Sequence, residues 1–134
     1  MRDAPLLETE RPKKSGSQVV WFDIPCVDLD RATAFYEAVL GLAIERQTFG
    51  EVSMGILPHG GVDVGGCLVV MPDSAGSDKG VLMYLNCEGR LEDAVAAVVP
   101  CGGEVVQPIH PIGPHGRRAI IRNSEGNRVA LHSS

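Results

Sequence analysis

The stretch Asp28-Leu-Asp-Arg-Ala-Thr-Ala-Phe-Tyr-Glu-Ala-Val-Leu-Gly41 decides how the rest of the chain is read. Apolar residues recur at Leu29, Ala32, Phe35, Tyr36, Val39 and Leu40, the spacing of one buried helix face. Asp28 is a good N-cap, because its carboxylate accepts from backbone N–H groups left free in the first turn. Gly41 suits the left-handed position just past a helix end. Upstream, Val19-Val-Trp-Phe-Asp-Ile-Pro-Cys26 is a β-branched and aromatic run that predicts a strand. Downstream, Leu42–Gln47, Val52–Leu57 and Gly66–Met71 predict three more, punctuated by Gly50, Pro58, Gly60, Gly61 and Pro72.

The pattern then restarts. Residues 73–80, Asp-Ser-Ala-Gly-Ser-Asp-Lys-Gly, form a polar linker. Val81–Cys87 predicts a strand and Leu91–Val99 a helix, stopped by Pro100 and Gly102-Gly103. Glu104–Gln107, Arg117–Arg122 and Arg128–Ser133 predict three strands, the last two joined by a hairpin at Asn123-Ser-Glu-Gly-Asn127. The order β-α-β-β-β thus occurs twice. A constant shift of 62 residues places Leu29 on Leu91, Ala32 on Ala94, Trp21 on Met83, Phe22 on Tyr84 and Gly41 on Gly103, which favours duplication over two unrelated segments. The expected organisation is a tail over 1–18, a first module over 19–72, the linker and a second module over 81–134. The tail is charged and Pro-containing, with Leu6 and Leu7 as its small apolar anchor.

The chain has 134 residues and a net charge of −5, with 44% hydrophobic and only 4% aromatic residues. A weakly acidic chain with few rings offers nucleic acid neither a basic face nor a stacking platform. No apolar run is long enough for a transmembrane helix, and the N-terminus lacks a secretory h-region. Cys26, Cys67, Cys87 and Cys101 match no zinc spacing and suggest buried thiols in a reducing, cytoplasmic setting.

The strand followed by D-L-x-R-x-x-x-F-Y-x-x-x-L-G resembles the opening of vicinal-oxygen-chelate proteins, the superfamily of glyoxalase I, extradiol dioxygenases and the fosfomycin- and bleomycin-resistance proteins. Gly102-Gly103 and Ser124-Glu-Gly-Asn-Arg-Val-Ala-Leu-His132 resemble its second half, so the likeness spans about residues 19–133. Asn123-Ser124 stands where the family's closing turn usually has Asp-Pro, and Pro100 where a helix-compatible residue is usual. The resemblance implies an α+β fold, two tandem βαβββ modules forming a curved half-barrel cleft, and a homodimer that completes it. Family enzymes hold one divalent metal through His, Glu or Gln on the first and last strands of each module. Carried over by position, those sites fall on Trp21, Leu68, Met83 and Ala130, and the neighbouring residues do not rescue the set, although Cys67 offers one soft donor. Such residues make no site for these metals, so no metal cofactor is expected.

Two sets of candidate residues remain. Strand alternation places Asp23 on the face of Trp21 and His132 on the face of Ala130. An Asp–His pair there would act as a general base; the alternative is that His132 simply satisfies a backbone group. The stiff loop Pro108–Arg118 carries His110, His115, Arg117 and Arg118; an arginine there would clamp a carboxylate or phosphate, or the loop is only a solvated connection. With Trp21, Leu68, Met83, Tyr84 and Ala130, His115 and Arg117 complete the expected ligand pocket. The favoured reading is a protein that binds a small organic ligand without metal, like the bleomycin-resistance branch. The alternative is a glyoxalase-like lyase or isomerase that uses an atypical metal site or Asp23–His132 acid–base chemistry.

Overall fold

A computed structural model describes residues 19–61 and 63–134. The expected tail over 1–18 lies outside the described residues. The first module runs β1 (Trp21–Cys26), α1 (Leu29–Leu40), β2 (Glu45–Phe49), β3 (Val52–Leu57) and β4 (Gly65–Val70). The second runs β5 (Met83–Asn86), α2 (Leu91–Val98), β6 (Glu104–Pro111), β7 (Arg117–Arg122) and β8 (Arg128–Ser133). Each module is a four-stranded sheet, ordered β1-β4-β3-β2 and β5-β8-β7-β6, with its first and last strands parallel and the other pairs antiparallel. The two sheets are the α+β pair expected from the sequence, and neither closes into a barrel.

Helix α1 forms as its residues dictate. The Asp28 carboxylate accepts from the Arg31 N–H at 3.0 Å, Gly41 takes φ 68°, and Leu29, Ala32, Phe35, Tyr36, Val39 and Leu40 are buried. That face packs on α2, and one core runs through both modules: Ile24, Cys26, Phe35 and Leu68 from the first join Leu85, Leu91, Val98, Ile121 and Leu131 from the second. The helices thus lie on the inner side of both sheets, and the opposite face of each sheet is left open.

The β7–β8 turn fastens the modules together. Asn123, Glu125 and Asn127 are buried polar residues. The Asn123 amide donates to the Tyr36 hydroxyl at 2.8 Å, and the Asn127 amide to the Pro25 carbonyl at 2.8 Å. Glu125 accepts from the N–H groups of Val27 (2.9 Å) and Asp28 (2.8 Å) and from both Nε and Nη2 of Arg31. Buried polar groups demand such partners, so this turn holds a fixed orientation against the start of α1.

Three expectations change. First, the loop expected from Pro108 is shorter, because β6 continues to Pro111. β6 is an edge strand with register shifts at Val105–Gln107 and Gln107–His110, and an edge tolerates prolines that cannot donate to a ladder. Second, the constant shift of 62 fails at the strands. Two residues separate Cys26 from Leu29, whereas Glu88, Gly89 and Arg90 separate Cys87 from Leu91. The helices correspond at 62, but the core residues Ile24 and Cys26 correspond to Leu85 and Cys87 at 61. A slip of one residue turns a strand over. Third, Gly103 does not repeat the role of Gly41. Gly102 takes the left-handed angle, φ 98°, while a Cβ on Gly103 would come within 2.5 Å of the Arg122 carbonyl oxygen and 2.7 Å of the Phe35 ring.

Candidate functional site

The corrected register settles which side chains reach each open face. On the first sheet these include Trp21 and Asp23 of β1 and Cys67 of β4, since Asp23 pairs with Cys67. Leu68 pairs with Ile24 on the helix side and is fully buried, so the pocket position expected at Leu68 belongs to the core and Cys67 stands on the open face instead. Trp21 is 43% exposed; its Nε1–H donates to the Asp23 carboxylate at 3.0 Å, and its ring meets that of His59 edge-on at 5.7 Å. The Cys67 thiol donates to the same carboxylate oxygen at 3.2 Å.

Burial first, and then that bond to Asp23, pushes the Cys67 thiol up to about 11. Burial does the same to Cys26, also about 11, and raises Cys87. A thiol that stays protonated is a poor nucleophile. Iodoacetamide at pH 8 is therefore expected to label the folded protein at the partly exposed Cys101 and to spare Cys26, Cys67 and Cys87; peptide mass mapping reads the pattern.

On the second sheet the open face carries Tyr84 and Asn86 of β5, Ala130 and His132 of β8, and Arg118 and Ile120 of β7. Tyr84 pairs with Ala130, and Asn86 with His132. Met83 alternates to the helix side and packs against the core, although it also lines the cavity between the modules. Arg117 likewise points away from the open face and pairs with Glu92 of α2 at 3.0 Å. It is Arg118 that reaches the face. Its Nε–H donates to Nε2 of His110 at 3.0 Å, its Nη1 donates to the Tyr84 hydroxyl, and its guanidinium carbon lies 5.8 Å from the Tyr84 ring centroid. The bonds set the imidazole tautomers. Nδ1 of His110 donates to the Pro108 carbonyl at 2.8 Å, which leaves its Nε2 as the acceptor from Arg118. Nε2 of His132 donates to the His115 carbonyl at 2.6 Å, so a neutral His132 has Nδ1 as its basic nitrogen. The rings of Tyr84 and His132 lie 6.1 Å apart. Tyr84, Ile112, His115, Arg118 and His132 enclose an open pocket of about 490 Å³.

A larger cavity, about 620 Å³, lies where the modules meet, walled mainly by apolar residues such as Phe22, Leu40, Leu57 and Met83. Tyr84 borders both cavities. Of the residues expected at a site, Tyr84, His115 and His132 come together, with Ala130 on the same face. Trp21 and Asp23 gather separately on the first sheet, so one chain does not bring Asp23 and His132 into a bonded pair. Arg118 and Cys67 are the additions, and both follow from strand register.

The metal expected of the fold family finds no set of ligands in one chain. At the first and last strands the open faces offer Trp21, Asp23, Cys67, Tyr84, Asn86, Ala130 and His132, split between two sheets. Among the described residues no three of His, Cys, Asp and Glu gather closely enough to hold an ion. A divalent cation of this kind needs at least three converging donors, which the described residues of one chain do not by themselves bring together.

Comparisons with known proteins agree with the architecture. A family model described as bleomycin resistance protein-like N-terminal matches residues 18–54. No curated protein sequence matches. Among solved structures, the chain is similar to a glyoxalase/bleomycin resistance protein from Albidiferax ferrireducens T118, with TM-score 0.66 and 16% identity, covering 88% of this chain and 99% of that one. It is similar to a glyoxalase-related enzyme from Fulvimarina pelagi, with TM-score 0.66 and 16% identity over 87% of this chain and 88% of the other. It is also similar to a genomically encoded fosfomycin resistance protein from Listeria monocytogenes, with TM-score 0.62 and 14% identity over 90% and 94%. The fold is that of the glyoxalase/bleomycin-resistance/dioxygenase, or vicinal-oxygen-chelate, superfamily, and the resemblance drawn from the sequence is borne out. No described helix is long and apolar enough to cross a membrane.

Proposed function

We propose that the protein binds a small organic molecule without a divalent metal, in clefts that a second copy of the chain completes. The observation that carries this reading is the chemistry of the open faces. Where the superfamily's enzymes place metal ligands, this chain has Trp21 beside an Asp23–Cys67 pair on one sheet and Tyr84 beside Arg118 and His132 on the other. Rings and hydrogen-bond donors beside an apolar cavity suit an organic ligand. The dimer is supported by the edge strands. β1 and β5 each have one unpaired side, and the neighbouring Val20 and Val81 are 77% and 93% exposed. A second copy would cover them and close each open face against another.

The test combines metal analysis, thermal unfolding and light scattering. Purified protein is expected to carry no stoichiometric metal, and its midpoint is expected not to move with Zn²⁺, Ni²⁺ or Fe²⁺. It should run as a dimer, which Val81→Lys weakens. A metal-dependent rise in the midpoint that a chelator reverses would overturn the metal-free reading, and a monomer at micromolar concentration the shared cleft.

One detail favours a second reading, a lyase or isomerase in which Asp23 of one copy meets His132 of the other. With Nε2 tied to the His115 carbonyl, the basic Nδ1 of His132 is positioned as an acceptor. On this reading His132→Ala removes a glyoxalase-type turnover while the fold survives, and an unchanged rate removes His132 from consideration.

A further inference from the structure

Arg118 is set apart by its partners. Arg31, Arg46, Arg117 and Arg122 each meet a carboxylate. Arg90 and Arg128 donate to backbone carbonyls. Arg118 is held instead by a neutral imidazole nitrogen and a phenol, and among the described residues it has no carboxylate partner. Those two bonds use two of the five guanidinium N–H groups and leave three to offer. The residues that share its pocket are Tyr84, Ile112, His115 and His132. None is acidic, although the chain as a whole carries a net charge of −5. The Tyr84 hydroxyl accepts from Arg118 and so has its own proton free to donate outward. Ile112 in the pocket and Ile120 and Ala130 on the same sheet face keep the surroundings apolar, which strengthens a charge-assisted bond.

We propose that this pocket is an anion subsite, in which Arg118 binds the carboxylate of a small organic acid with Tyr84 and His132 beside it. The inference rests on the reading of an organic-ligand-binding protein and adds the chemical class of the ligand. A planar fork of N–H donors matches a carboxylate in two parallel bonds, a geometry that a neutral amide cannot reproduce. Because Tyr84 also borders the cavity between the modules, an acid with an apolar body can place its head at Arg118 and its body along that wall.

Benzoate and its neutral isostere benzamide are the probes, titrated into the full-length protein in low-chloride buffer by calorimetry and by amide chemical-shift mapping. Benzoate is expected to bind saturably, to move resonances around Tyr84, Arg118 and His132, and to weaken as chloride rises. Benzamide is expected to bind at least roughly tenfold more weakly. Arg118→Gln should abolish benzoate binding, Arg118→Lys should retain part of it, and Tyr84→Phe should weaken it several-fold; matching circular dichroism shows that the variants are folded. Equal binding of benzamide and benzoate would overturn the anion subsite while leaving the organic-ligand reading intact. So would benzoate binding that Arg118→Gln leaves unchanged, or no benzoate binding at millimolar concentration. A stoichiometric metal would strike the metal-free reading alone, so the two failures are distinguishable.

Discussion

Glu125→Ala is expected to lower stability by about 3 kcal/mol at pH 7, and the loss should fade in acid. The side chain is 1% exposed, yet it is ionised and meets five donors, the N–H groups of Val27 and Asp28, two nitrogens of Arg31 and the Ser124 hydroxyl. Alanine would leave those backbone groups without an acceptor at the first turn of α1 and would unpair the guanidinium, and removing one side of a buried pair costs several kcal/mol in general. Burial by itself would raise the Glu125 carboxyl. The Arg31 guanidinium and the two backbone N–H groups outweigh it and hold the group down to about 2. A carboxylate depressed in the folded state stabilises the protein fully above its unfolded value near 4.5, and that contribution disappears as pH falls through about 2. Arg31 is half exposed, so solvent screening reduces the full shift to about 2–3 kcal/mol. Urea unfolding at pH 7 and again near pH 2.5 checks this. The gap between wild type and Glu125→Ala should be wide at the first and narrow at the second. An equal gap at both would show that the turn is held by packing and not by charge.

Phe35→Ala should cost about 3–5 kcal/mol, the usual range for truncating a buried phenylalanine. Phe35 has no exposed surface and stacks edge-on with Tyr36 at 5.0 Å. Its ring also lies so close to Gly103 that a Cβ there would collide with it. It therefore belongs to both modules, and the cavity it leaves would open at their junction. For a domain of this size the expected fall in Tm is roughly 10–20 °C, read by calorimetry. Unfolding should remain a single transition, since both modules draw on one core. Two separated transitions in the variant would show that each module holds a core of its own. Phe35→Leu, which restores most of the volume, should recover much of the loss.

The fold was legible because its decisive signals are local. A capped helix of 3.6-residue periodicity ending on glycine, bracketed by β-branched runs, reads the same in sequence and in space, and the periodicity alone locates the second helix at Leu91–Val98, which lacks a side-chain cap. The site was legible only in part, because a site depends on which way each strand faces. Trp21 and Ala130 are placed by the family resemblance, and alternation within their own strands puts Asp23 and His132 on the same open faces. Leu68 and Met83, carried over from the resemblance in the same way, lie one residue away from the face positions Cys67 and Tyr84. Arg117 and Arg118 are adjacent and chemically alike, and only the pairing of β7 with β8 separates the one bonded to α2 from the one in the pocket. The long β6 was hidden by Pro108 and Pro111, which argue against a strand everywhere except at a sheet edge. The meeting of Glu125 with Val27 and Asp28, across 97 and 98 positions of chain, left no local signal at all.

The extra residue in Cys87-Glu-Gly-Arg90 has a practical consequence for anyone who wishes to move chemistry from one half of the molecule to the other. A transplant written at fixed spacing would set the Asp23–Cys67 pair at positions 85 and 129, burying a carboxylate in the shared core in place of Leu85. Written by strand register, the same graft goes to Tyr84 and Ala130, on the open face, with the carboxylate at the exposed Tyr84 position and the thiol at the buried Ala130 position. The halves are thus interchangeable parts only when the ruler is set strand by strand, at 61 residues from β1 to β5 and at 63 from β4 to β8.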